Sequence, residues 1–407
     1  MASIEQKLIT AILARVRGRR SVSAPRHGHV RSDSTILAPA RLREGQFSDF
    51  AAVSELKRKW GLVLDSFENW ERLWCHNPAL KQQQSNRPIG WVLEAAGQLV
   101  GYLGNISLSY SYGSRQLMAV VGHAFVVEPS YRAASLSLMS AFFRQKSADL
   151  FLTTTAIEAV GKMARSFKSE PLPQEDYENV LFWVLQPSAF SKAVMNRLHL
   201  KPYLAVIGHS MGSVAVNTDK ILRRRWPKNS SKHSVSEIRV SEIGDDFHAL
   251  WDAKLQERAR LLADRSPGVL KWHFDIPGQA GATRILCCHS NGELLGYLAI
   301  RDDSSLAHSL RRSIIADALI RKDDPEIFQT LMFAAYEHAK HAGSYVLEVL
   351  GFPPNLRAMC SKWNPYHRRY PACPFYYKAA DLTLHKTLSD DASWYATPFD
   401  GDTTLMP

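Results

Sequence analysis

The heptapeptide GQLVGYL at residues 97–103 returns as GELLGYL at residues 292–298, 195 positions later, with only polar-for-polar and apolar-for-apolar changes. The surroundings match too. FSDFAAVSELK (47–57), with Phe50 and Leu56 on one helical face, precedes the first copy; GDDFHALWDAKL (244–255), with Phe247, Leu250 and Leu255 similarly spaced, precedes the second. Each copy then sets a Trp shortly before a Pro, Trp74 with Pro78 and Trp272 with Pro277. A period near 200 residues is the size of a domain and too long for a solenoid repeat, so the chain reads as a duplicated unit. With 407 residues, 45% of them apolar and 10% aromatic, it can bury two cores.

Periodicity in the first unit predicts an opening strand at 36–43 and a helix at 49–59 begun by Ser48 or Asp49. A second helix at 66–74 is capped by Ser66, and strands at 91–95 and 99–108 join through Ala96 and Gly97. A long strand at 116–127, a helix at 135–146, a strand at 150–154, a helix at 157–167 and an apolar strand at 179–185 follow. The fold class expected is α/β with a mixed sheet covered by helices. The domain divisions are a tail at 1–35, a first unit at 36–215, a basic linker at 216–235, a second unit at 236–389 and a tail at 390–407.

The net charge of +11 is unevenly placed. Residues 1–35 hold seven Lys and Arg against Glu5 and Asp33, and RRRWPKNSSK (223–232) is basic without an acid. Such runs read as solvated connectors or as contacts to an anion. Ile4, Leu8, Ile9, Ile12, Leu13 and Val16 share one face of a possible helix ending in RVRGRR, compatible with weak contact to an anionic membrane surface or with a transit peptide. Five cysteines, odd in number and without metal-ligand or disulfide spacing, fit a reducing, cytoplasmic setting. The spacing calls for no metal, and nothing specific to nucleic acid is expected.

The most informative join is VVGHAFVVEPSYRAASLSLMSAFF (120–143). A strand runs into Glu128-Pro129, where the missing donor halts pairing, and a basic turn leads into a helix. Ala133, Ala134, Ser135, Leu136 and Ser137 are mostly small, so the amides of a helix start can approach a diphosphate closely, next to Arg132. This order of elements and the pattern V-x-P-x-Y-R-x-x-S-L-x-x-L resemble the GNAT acyltransferase superfamily, over roughly residues 36–200 and again over 236–388. The resemblance implies two tandem GNAT-like acyltransferase domains, the second degenerate. It implies acetyl-CoA as acyl donor, with its pyrophosphate at Arg132 and the turn 133–137, and backbone groups near Phe125, Val126 and Val127 on the pantetheine arm. Serines at 135 and 137 depart from the small residues of the family pattern.

Acyl transfer to an amine requires a base for the acceptor, a donor for the developing oxyanion and an exit for the thiolate. His123 is the titratable side chain central to the long strand and is the general-base candidate, a buried structural histidine being the competing reading. The Tyr that the family often places on the later helix is missing from EAVGKMARSF (158–167). In the second unit, Arg321-Lys322-Asp323-Asp324-Pro325 sets two carboxylates where a pyrophosphate would lie, so no donor is expected there. The aromatics of 67–74 and 362–377 are candidates for a sugar cleft, and Arg368 and Arg369 for an anionic acceptor. The reading reached is an N-acetyltransferase acting on the amine of a small molecule, such as an amino sugar or polysaccharide precursor. Three alternatives stand beside it: a serine hydrolase using Ser210 in the G-x-S-x-G of VIGHSMGS (206–213), with Asp317 and His338 or His341 as partners; a non-catalytic acyl-CoA-binding or partner-binding tandem; and an aminoacyl-transferase drawing on charged tRNA.

Overall fold

The computed structural model describes residues 37–83, 87–197, 202–223, 225–227, 233–303, 310–369 and 374–406. The basic segment 1–35 therefore lies outside the described residues. In chain order the strands are β1 (Arg41–Glu44), β2 (Gly90–Ala95), β3 (Gln98–Tyr112), β4 (Arg115–Val127), β5 (Leu150–Thr153), β6 (Glu170–Pro171), β7 (Asn179–Val184), β8 (Ser234–Arg239), β9 (Leu261–Ala263), β10 (Thr283–Ser290), β11 (Glu293–Asp303), β12 (Arg312–Ile320), β13 (Val346–Val349), β14 (Tyr366–Arg369) and β15 (Tyr376–Ala379). The α-helices are α1 (Phe50–Lys59), α2 (Phe67–Trp74), α3 (Pro78–Gln83), α4 (Ser135–Phe143), α5 (Glu158–Ser166), α6 (Pro187–Arg197), α7 (Pro202–Leu222), α8 (Asp246–Leu255), α9 (Pro267–Phe274), α10 (Pro325–His341), α11 (Pro354–Ser361) and α12 (Leu382–Leu388). None of the described helices is long and apolar enough to cross a membrane.

The repeated heptapeptide is a hairpin device. Ala96 and Gly97 have φ of 50° and 75°, Asn291 and Gly292 of 50° and 82°, the left-handed pair that a two-residue turn between twisted strands demands. Each hairpin slips register on its incoming strand, between Leu93 and Glu94 and between Cys288 and His289, so even the irregularity recurs. As expected, Ser66 caps α2 by accepting the Asn69 N–H at 3.2 Å. No side chain caps α1: Asp49 takes the Gln46 N–H and the Arg43 guanidinium, each at 2.8 Å, and a 3-10 turn over Phe47–Asp49 leads in.

Two mixed sheets result, ordered β1-β2-β3-β4-β5-β15-β6, with β9 beside β3, and β14-β7-β13-β12-β11-β10-β8. They are the same sheet twice, but with a strand exchanged. The sequence order suggests that 179–185 stays with the first unit; instead β7 pairs antiparallel with β13 and β14 of the second sheet. In return β15 pairs with β5 and β6 of the first. The reason lies in composition. NVLFWV is buried along nearly its whole length, and a strand apolar on both faces is satisfied inside a sheet rather than at its edge.

The segment expected as a C-terminal tail is enclosed by the rest of the chain. Residues 394–402 are all buried and run between the halves. Tyr395 Oη donates to the Ala318 carbonyl at 2.9 Å, and the Leu405 and Met406 carbonyls accept from Arg72 at 2.6 Å and Arg301 at 2.7 Å. One hydrophobic core consequently includes Trp70 and Tyr102, Phe247 and Tyr297, and Trp394.

At the far edge of the second sheet, His338 of α10 lies between two carboxylates, Nδ1 at 2.9 Å from Glu237 and Nε2 at 3.1 Å from Asp302. The hydrogen bond with Asp302 outweighs partial burial and, with Glu237, raises the imidazole above its ordinary 6.5. Asp302 is held below the usual carboxylate range: burial raises it, but the bonds from His338 and Ser313 prevail. A raised folded-state value means stabilisation that is complete below pH 6.5 and lost as pH rises through the folded value. The melting temperature of wild type should therefore exceed that of His338→Gln most clearly near pH 6, and the gap should narrow toward pH 8; a gap constant across that range would exclude the linkage.

Candidate active site

The long strand β4 does two things at once. It pairs with β3 along its length, and with β5 in parallel only from Ala119 to Val121. Beyond Val121 the ladder to β5 ends, β5 itself stopping at Thr153, while β4 runs on to Val127. Ala124 takes φ of 52°, and the register with β3 jumps between the Tyr102–Val126 and Gly104–His123 pairs, so β4 bulges where it leaves its neighbour. Phe125, Val126 and Val127 lie on this bulged end, with main-chain groups on the β5 side not committed to a strand.

His123 stands opposite Gly104 on the interior face and is 7% exposed. Its Nδ1 is 3.0 Å from Asp402 Oδ2, a contact spanning 279 residues. A carboxylate only accepts, so Nδ1 carries a proton, and in the neutral form of the ring Nε2 carries the lone pair. That Nε2 is buried and has no hydrogen-bond partner among the described residues. The same holds for the hydroxyl of Tyr102, 1% exposed, which lies so close over Gly104 that an added Cβ would come within 2.7 Å of it. Burial, with Asp65 and Asp49 nearby, keeps that phenol protonated well above pH 10. Asp65 borders the same space. Burial raises its carboxyl, but the charges of His123 and Lys57 and the bonds from Lys57 (2.6 Å) and Asn69 (2.9 Å) bring it below the ordinary range. A buried polar atom without a partner costs about 1–3 kcal/mol, so the His123 nitrogen and the Tyr102 hydroxyl, both at the strand bulge, are candidates for contact with a ligand.

On the opposite side of β4, a 3-10 turn over Pro129–Ala134 precedes α4, so Arg132 sits before the helix proper rather than at its first residue. Arg132, Ala133 and Leu136 are exposed; Ala134, Ser135 and Ser137 are partly so. The two serines turn their hydroxyls inward, Ser137 to the Ala134 carbonyl at 2.6 Å and Ser135 to the Met163 sulfur at 3.7 Å. The Ser135 N–H is spent on the Arg132 carbonyl, which takes one amide out of the cradle expected from the sequence.

The second copy places different chemistry at the same addresses. Tyr297 repeats Tyr102, and Ala299 repeats Gly104; opposite Ala299 stands Asp317. Here every group is paired. Tyr297 Oη donates to Asp317 at 2.6 Å, Arg265 Nε meets the same carboxylate at 3.0 Å, and Arg265 reaches Asp400 at 3.1 Å. The start of α10 is closed too: Asp324 accepts the N–H groups of Glu326 (2.8 Å) and Ile327 (3.2 Å), and Asp323 is held by Lys254 and Arg260.

Other expectations fare differently. VIGHSMGS lies inside α7, so Ser210 is not on the strand-to-helix turn that an elbow needs; Asp317 and His338 are committed elsewhere as described. Arg368 and Arg369 pair with Glu348 and Glu178. Trp70 and Trp74 are core residues, while Phe67 and Trp60 are exposed. Asp402 was missed because the strand order gives no hint that residue 402 meets residue 123. The exchanged strand lays a tyrosine against α5: the Tyr376 ring covers Gly161, and Arg165 donates to its hydroxyl at 3.2 Å.

No protein-family model matches the chain, and no curated protein matches its sequence. Solved structures do match its fold. A GCN5-related N-acetyltransferase from Anabaena variabilis superposes with a TM-score of 0.54 at 9% identity, over 84% of this chain and 74% of that one. One from Kribbella flavida gives 0.52 at 10% identity, over 85% and 72%. Saccharomyces cerevisiae N-myristoyltransferase with bound myristoyl-CoA gives 0.53 at 13% identity, over 86% and 81%. At these identities the likeness is one of fold: two mixed α/β units in tandem.

Replacing each repeated tyrosine by Phe separates an open site from a closed one. Tyr297→Phe should lower stability by about 1–3 kcal/mol in urea unfolding, because Asp317 loses a buried donor. Tyr102→Phe should be neutral or stabilising, since it deletes a buried hydroxyl without a partner; equal losses would refute the distinction.

Proposed function

We propose that this chain, carrying the tandem fold of the GCN5-related N-acetyltransferases, moves an acetyl group from acetyl-CoA to the amine of a small molecule, with an amino sugar or polysaccharide precursor as the acceptor class. The observation that carries the proposal is the His123 Nε2, buried and without a hydrogen-bond partner among the described residues, on the bulged stretch of β4 that runs past the end of its ladder with β5. Donor contacts are assigned to the first copy alone, because the helix start of the second is occupied by its own Asp324. In the first, Arg132 and the main chain of Ala133, Ala134, Leu136 and Ser137 take the pyrophosphate, the Ser135 N–H being already committed to the Arg132 carbonyl. A helix start favours anions, and the inward-turned serine hydroxyls leave its outer face clear. The main-chain groups of Phe125, Val126 and Val127 hold the pantetheine arm and polarise the thioester carbonyl.

His123 then takes a proton from the attacking nitrogen. The C–N bond forms as the C–S bond breaks, and the proton returns to the departing thiolate, so the reaction closes without an external acid. Trp60 and Phe67, exposed on either side of the turn that bears Asp65, offer the aromatic faces on which a sugar ring packs. The basic segment 1–35 would add weak attraction to an anionic membrane surface in a cytoplasmic protein.

Calorimetric titration with acetyl-CoA tests the donor site. Wild type should bind, Arg132→Glu should bind at least tenfold more weakly, equivalent to about 1.4 kcal/mol, and His123→Ala should bind normally but lose roughly 10²- to 10⁴-fold in kcat. A parent chain that does not bind acetyl-CoA removes the proposal.

A further inference from the structure

Asp400 and Asp402 come from one short buried segment, and each serves one copy of the repeat. Asp400 joins Arg265 and Asp317 in the second, and Asp402 meets His123, the residue facing Gly104 where Asp317 faces Ala299. The segment is fixed there closely. Asp402 Oδ1 accepts from Thr154 Oγ1 at 2.6 Å, and the Asp402 N–H donates back to that oxygen at 3.2 Å. Gly401, at φ of 107°, passes so near Thr154 that a Cβ would fall 2.4 Å from its methyl. In the second copy the equivalent carboxylates are satisfied by a guanidinium and form a closed structural knot. In the first, the carboxylate ends on an imidazole whose other nitrogen has no partner among the described residues.

We infer that Asp402 is a positioning residue for His123: it accepts the Nδ1 proton, fixes the imidazole in the tautomer with a bare Nε2, and aims that lone pair at the acceptor nitrogen. The inference rests on the transferase reading only for its last step. When the amine proton reaches Nε2, both ring nitrogens carry hydrogen, and the adjacent carboxylate stabilises the imidazolium until the thiolate takes the proton back. Because the two residues lie in different halves of the sequence, the site is complete only when residues 394–402 are seated between them.

The test uses the full chain with ¹⁵N-labelled histidine. Long-range ¹⁵N–¹H correlation should show His123 protonated at Nδ1 in wild type, and Asp402→Asn should shift it toward the Nε2–H form. The same variant should lose on the order of 10²- to 10⁴-fold in kcat with the donor KM within about twofold. Should Asp402→Asn fail to fold, Thr154→Val, which keeps the carboxylate but removes the shorter of the two hydroxyl bonds on Oδ1 and so loosens its aim, should weaken the Nδ1–H form with a loss of about tenfold. A wild-type Nε2–H tautomer, or a folded Asp402→Asn with kcat within threefold of wild type, overturns the assignment. A chain without transferase activity that nevertheless shows the Nδ1–H form, lost in Asp402→Asn, sustains the pairing and removes only the reaction proposed for it.

Discussion

Each sheet of this protein is completed by a strand from the other half of the chain, and the rest of the architecture follows from that trade. β5 finds its neighbour in β15, more than two hundred residues later, and β13 finds its own in β7. Neither half has a full set of main-chain partners alone, and an unpaired edge of apolar strand is costly in water. The exchange draws the two units against one core and leaves between them a channel that the segment 394–402 fills with aromatic rings and carboxylates.

Within that frame the duplication has produced two chemically opposite places from one pattern. Where the second copy sets Asp317, neutralised by Arg265 and bonded by Tyr297, the first sets His123 and leaves Tyr102 without a partner. The second place is saturated, and saturation of buried charge by a guanidinium with several acceptors is a structural arrangement. The first retains, among the described residues, unmet hydrogen-bonding capacity on the bulged stretch of β4 beyond its ladder with β5. Divergence of the repeated units is thus visible as a difference in which polar atoms are paired: the second copy is closed, and the first keeps the atoms to which the proposed chemistry is assigned.

Much of this was legible in the residues. The repeated hairpin, the helices before it and the long strand into Pro129 are local features, and local features are what periodicity and turn chemistry report, whereas the bulge at Ala124 was not among them. Ser66 caps its helix as the pattern says, and Ala96-Gly97 turns as it must. What escaped was non-local. The strand at 179–184 is correctly a strand, but which sheet receives it depends on partners that sequence order does not rank. Likewise WYATPFDGD shows its density of aromatics and carboxylates openly. That Asp402 rather than Asp400 meets His123 is settled by packing around Thr154 and Gly401, and no period in the sequence encodes it.

The strand exchange also has a consequence in time. A chain made from its N-terminus presents β5 long before β15 exists; at synthesis rates of about 5–20 residues per second, the intervening segment takes on the order of ten seconds or more to appear. Throughout that interval the first sheet has a bare, apolar margin next to a half-built core. Such a nascent chain is exposed to wrong pairing with its neighbours on a polysome, so its yield in cells would be governed less by its final stability than by how that margin is shielded during translation.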